Sequence, residues 1–306
     1  MKTSVNLSLT VHPQAEGYRN QNRQLQAESV RLIVECDELK NLVVPQIFAA
    51  YQCKIGVFEL RVFQFECEIR SLLRRIELAQ TALNRGEKPC YQSIEKEIKT
   101  EFAAWREKIS HQIREIKAAK ERENLPTLSY AESREMQTLY RKLAFLLHPD
   151  IIGETDDRRQ KLWLQAMEAY KNGDLQTLRT ISVLIGNESK SLENDSADEN
   201  ILESLKQRNA ELKQICEKFL DEITEIKTSE PYIWHKILDD KSELEKCQNE
   251  LLGKIEMLRE KRQQLCEHWA EIMSFAADRE DVEIPKEPAN IFTEMEDNWA
   301  EIIYEF

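Results

Sequence analysis

Tyr140–Asp150, YRKLAFLLHPD, decides how the middle of this chain is read. From Ser133 to Leu147, the residues Met136, Leu139, Tyr140, Leu143, Leu146 and Leu147 recur at helical spacing and form one broad apolar face. Arg134 and Arg141 stand seven residues apart on another face, and His148 extends that row. Pro149 has no N–H for the helical ladder and drives the residue before it toward extended geometry, so the helix ends at His148. The turn that follows is expected to project His148 and Asp150 outward. Beyond it, IIGETDD supplies Gly153 and an N-cap, Thr155 or Asp156, for a helix carrying Leu162, Trp163, Ala166, Met167, Ala169 and Tyr170. Asn172–Asp174 reads as a turn into a further helix over Leu175–Ile185.

This central region, residues 125–186, holds eight acidic residues and eight Lys or Arg, so it is neutral within a chain whose formal charge is -13. On its N-terminal side, Phe48, Tyr51, Ile55, Phe58, Val62, Phe65, Ile69, Leu72, Ile76, Ala79 and Leu83 alternate spacings of three and four, the mark of a long helix with one buried stripe. Asn84–Pro89, NRGEKP, breaks it. A second helix from about Tyr91 to Glu123 turns Ile94, Ile98, Phe102, Trp105, Ile109 and Ile116 inward, and the short connection favours an antiparallel hairpin. Pro45 kinks or starts this arm after the apolar segment Ser29–Val44.

The C-terminal side repeats the pattern. Leu205, Leu212, Phe219 and Ile226 lie seven apart, as do Ile237, Leu244, Leu251, Leu258 and Leu265, with a break at Thr228–Pro231. These heptads predict a second hairpin or coiled coil, with Lys254, Lys261 and His268 on the alternate seam positions of the last helix. The predicted organisation is a polar segment 1–28, a helical hairpin 29–124, the central region 125–186, a polar linker 187–200, a coiled-coil hairpin 201–274 and an acidic tail 275–306. In that tail Ile291, Phe292, Trp299, Ile302, Ile303 and Phe306 suit a docking helix. The fold class is all-α: long antiparallel hairpins or coiled coils flanking a compact helical centre.

Composition narrows the function. Charged residues make up 32% of the 306, and Gly and Pro together number fifteen, which suits long helices better than sheets. The net negative charge opposes binding to nucleic acid and to anionic membrane. The seven Cys residues form no CxxC pair, and His12, His111, His235 and His268 form no ligand pattern, so no metal and no cofactor are expected. No Gly-rich phosphate loop, nucleophile elbow or matched acidic pair argues for an enzyme. The amino terminus has no sustained apolar run, which makes the cytoplasm the expected location.

Two helices joined by His-Pro-Asp, with WLQAMEAYKNGD downstream, resemble the J-domain of DnaJ-class co-chaperones over about 50 to 65 residues. The family's first-helix run is not evident at Glu121–Thr127, and Ile151-Ile152 stand where the family often carries Lys. The resemblance implies that His148, Pro149 and Asp150 contact a DnaK-type ATPase chaperone and promote its ATP hydrolysis. It further implies that Arg141 and Lys142, with Arg134 on the same helix, support the encounter electrostatically. The helical arms would then bind a client protein or form a homo-oligomer. The alternative is a structural coiled-coil interaction protein with a degenerate J-like centre, in which HPD is only a Pro-terminated helix end.

Overall fold

The structure is a computed structural model that describes residues 13–123, 129–153, 156–186, 201–277 and Phe292. The N-terminal polar segment up to residue 12, the stretch 124–128, Glu154 and Thr155, the linker 187–200 and the tail beyond Ala277 apart from Phe292 lie outside the described residues. Every regular element described is helical: α1 Pro13–Glu38, α2 Val44–Tyr51, α3 Val57–Asn84, α4 Tyr91–Glu101, α5 Ala103–Glu123, α6 Tyr130–Leu147, α7 Pro149–Ile152, α8 Asp157–Lys171, α9 Leu175–Gly186, α10 Ile201–Thr228, α11 His235–Asp239 and α12 Lys241–Ala277. They gather into two compact units, each discontinuous in sequence: residues 1–46 with 126–233, and 47–125 with 234–306.

In the first unit α1 runs along α10, and contacts advance together on both helices. Asn22 meets Asn209, Ser29 meets Cys216 and Glu35 meets Lys227, so the pair is parallel. For the C-terminal arm the sequence pattern instead suggested a hairpin or coiled coil within residues 201–274, whereas α10 pairs with α1 in one unit and α12 belongs to the other. The correction has a simple cause: the whole central region separates α1 from α10, and that length of chain permits a return in the same sense, whereas a short loop imposes an antiparallel neighbour. A polar clasp sets the register. Asn209 Nδ2 donates to Asn22 Oδ1 at 2.9 Å, and Asn22 Nδ2 donates to the Leu205 carbonyl at 2.9 Å. Burying two amides is tolerable only where both find partners, so a one-heptad slip would leave them unsatisfied.

Helices α6, α8 and α9 pack beside this pair. Ser129 and Glu132 form a capping box that starts α6, and Asp156 and Asp174 accept from backbone N–H groups at the starts of α8 and α9. The core combines Leu32, Ile33 and Val34 of α1 with Leu143, Ala144 and Leu147 of α6, Trp163 and Tyr170 of α8, Leu178 of α9, and Phe219 and Ile223 of α10. Tyr140 stacks on Tyr170 with ring centroids 4.1 Å apart, and both hydroxyls reach α1: Tyr140 donates to Asp37 at 2.7 Å and Tyr170 to Glu38 at 2.8 Å.

In the second unit α3 has two buried faces. Antiparallel to it lie α4 and α5, which continue in one direction through Phe102 and meet it through Arg75 with Glu95, Phe63 with Trp105 and Cys53 with Ala119. Parallel to it lies α12, where Val62, Phe65 and Ile69 pack with Ile255 and Leu258. The alternate seam of α12 is four residues on from each leucine, at Gln248, Ile255, Arg262 and Trp269. Lys254, Lys261 and His268, placed there by the sequence reading, are exposed. The polar seam residues are satisfied: Arg262 pairs with Glu68, and Gln248 Nε2 donates to the Lys54 carbonyl at 2.8 Å. That carbonyl sits in a π-helical turn, Gln52–Gly56, where the wider ladder frees a backbone acceptor. A second π turn, Leu39–Val43, precedes Pro45, so the proline that was expected to kink or start the arm is absorbed by widening the helix.

Candidate functional site

The HPD turn begins where α6 ends. The His148 N–H makes the last helical bond to the Ala144 carbonyl at 3.0 Å, and Pro149 then holds His148 at φ -66°, ψ 126°. Pro149 occupies the first position of α7, where a missing N–H costs nothing. His148 Nδ1 accepts from the Asp150 N–H at 3.1 Å and so caps this one-turn helix. Gly153, at φ 82°, closes it in a conformation that a side chain would strain.

The extended geometry at His148 swings its ring out of the Arg134–Arg141 row and into the protein. Its centroid lies 5.0 Å from Trp163 and 6.1 Å from Phe219, both met edge-on, and only 9% of the residue is exposed. Burial lowers the imidazole pKa to about 4; Lys218 nearby also disfavours the charged form, and Asp150 favours it. The sequence expectation of an exposed imidazole at a free tip is therefore corrected, because α10 lies over the turn. Three of its residues hold it: Phe219 covers His148, Lys218 pairs with Asp150 at 3.1 Å, and the Arg208 guanidinium donates to the Ile151 carbonyl. Ile151 is itself buried, so the apolar residue after HPD seats the turn in the core.

The basic residues divide differently. Arg134 is exposed, with its guanidinium 5.8 Å from the Tyr130 ring centre, and Arg141 is exposed as well. Lys142 is exposed but tied to α9 through a 3.3 Å bond to the Ser182 hydroxyl. Thus the turn directly follows the helix that carries these cations but does not form one continuous exposed face with them.

Beneath the turn lies a titratable cluster that sequence reasoning missed. Burial raises the Asp37 carboxyl despite the Tyr140 hydrogen bond, pushes the Tyr140 and Tyr170 phenols upward, and lifts the Cys36 thiol to about 11. Cys36 lies within hydrogen-bond reach of Glu222, which also pairs with Lys40. These groups are partnered, so they read as the polar joint between α1, α6, α8 and α10. No group of His, Cys, Asp and Glu able to hold a metal ion occurs among the described residues. None of the described helices is long and apolar enough to cross a membrane.

Comparison with known proteins gives no match: no family model, no curated protein and no solved structure aligns with this chain.

Proposed function

We propose that this protein is a J-domain-like co-chaperone or adaptor whose recruiting turn is closed, in this conformation, by its own helix α10. The observation that carries the reading is the junction itself: α6 and α8 lie antiparallel through the Tyr140, Trp163 and Tyr170 rings, and His148, Pro149 and Asp150 sit where they join. A DnaK-type ATPase would meet His148 and Asp150 only after the middle of α10 has moved, with Arg141 and Lys142 already exposed for the first encounter. ATP hydrolysis would occur in the chaperone. This chain would contribute differential binding to one state of its partner, and His148 would have no acid-base role. The arms would hold a client or a second copy.

A second reading has its own support. His148 caps α7, fills core space beside Trp163 and lies under Phe219, all of which a purely structural turn requires. On that reading the protein is a helical interaction scaffold with a degenerate centre.

Single-turnover ATP hydrolysis by a DnaK-type chaperone separates the two. Lys218→Glu and Phe219→Ala loosen the cover and are expected to raise stimulation above that of the unaltered chain, and His148→Gln added to either is expected to abolish it. If both loosened variants keep their helical content and neither stimulates hydrolysis across a concentration series, the scaffold reading stands.

A further inference from the structure

Unit two carries an open groove of about 210 Å³ lined by Phe63, Ala104, Trp105 and Lys108. Its floor is a stacked pair, Phe63 on Trp105, with centroids 5.7 Å apart and planes 13° from parallel. Two cations border it: the Arg70 guanidinium lies 4.9 Å from the Trp105 ring centre, and Lys108 Nζ lies 4.9 Å from that of Phe63. Neighbouring cations on α3 and α12 are taken by carboxylates, Arg74 by Glu77, Glu97 and Glu101, and Lys254 by Glu66. Arg70 and Lys108 have no carboxylate within ion-pair distance among the described residues and rest on aromatic faces instead. A half-buried aromatic pair flanked by two such cations suits a ligand that brings carboxylates and apolar side chains together.

The chain itself contains such a segment. Thr293–Phe306, TEMEDNWAEIIYEF, holds five acidic residues and no Lys or Arg, interleaved with Trp299, Ile302, Ile303, Tyr304 and Phe306. It follows directly on Phe292, which is only 3% exposed and is buried in the same apolar cluster against which Phe63 and Trp105 pack. Fourteen residues span roughly 20 Å even as a helix. Tethering at Phe292 gives the segment an effective local concentration on the order of millimolar, well above that of a free competitor.

We propose that the Phe63–Trp105 groove is the docking site of the chain's own segment Thr293–Phe306, held by Arg70 and Lys108 through its carboxylates and by the stacked rings through its apolar side chains. The reading is independent of the function assigned to the HPD turn.

A benzophenone side chain placed at the exposed position Ala104 in the full chain tests it. Photolysis of mixed isotope-labelled and unlabelled protein, followed by peptide mass spectrometry, is expected to give cross-links within one chain to residues 293–306. Charge reversal, Arg70→Glu with Lys108→Glu, is expected to lower their yield about fivefold with helical content unchanged. Cross-links only to other segments, cross-links only between chains, no cross-link at all, or a yield indifferent to the charge reversal would overturn the proposal.

Discussion

Replacing His148 by Asn offers a direct measure of how firmly α10 covers the turn. Asn keeps a side-chain acceptor for the Asp150 N–H, so the cap survives, and it removes the titrating ring. The folded imidazole has its pKa lowered to about 4 from the ordinary 6.5, chiefly by burial. For a base, a depressed folded value means that the unfolded chain binds the proton more readily. The stability associated with the neutral ring is therefore complete above pH 6.5 and is lost as pH falls from about 6.5 to about 4. A separation of that size corresponds to about 3 kcal/mol. Urea denaturation of the unaltered chain and of His148→Asn at several pH values between 7 and 4 supplies the assay, since carboxylates and the other histidines titrate alike in both proteins and cancel in the difference. The stability advantage of the unaltered chain is expected to shrink by about 3 kcal/mol across that range. An advantage that stays constant from pH 7 to pH 4 would refute the reasoning: the imidazole would then be solvated, and α10 would not be lying on it.

Two further outcomes test the packing. Arg75, 1% exposed, is held by Glu95 at 2.7 and 3.0 Å and by Ser71 at 2.9 Å, so Arg75→Met alone is expected to cost about 3–5 kcal/mol by stranding a buried carboxylate; the same substitution with Glu95→Leu is expected to recover most of the loss in equilibrium unfolding. Tyr140→Phe removes the donor to Asp37 and is expected to cost about 1–3 kcal/mol at neutral pH, read by the same method; a loss below a few tenths would show that water serves Asp37 instead.

Much of the helical content was legible because its causes are local. The three-four spacing from Ile55 to Ala79 marks a real buried stripe, the Gly86 break and the Asn172–Asp174 turn occur where small and polar residues relax the backbone, and Pro149 ends α6 as its chemistry requires. The capping box at Ser129 and Glu132 was readable from its spacing and was overlooked. The joint formed by Asp37, Tyr140, Tyr170 and Glu38 was not readable, since its hydrogen-bonded partners are up to 132 residues apart and each is ordinary in its own neighbourhood.

By itself the sequence determined that the described part of this chain is helical, where most of its helices end and the main apolar stripe of most of them, because propensity, capping and periodicity act within a few residues. Partner choice came only with tertiary structure. A seven-residue repeat says that a helix needs a neighbour and leaves open which neighbour and in which sense; the Asn22–Asn209 clasp and the Gln248 bond to Lys54 supply what the repeat lacks for α10 and α12. The same holds for His148. Its place after α6 follows from Pro149, but whether its ring faces water or Phe219 depends on a helix that begins more than fifty residues later, and no local rule carries that far.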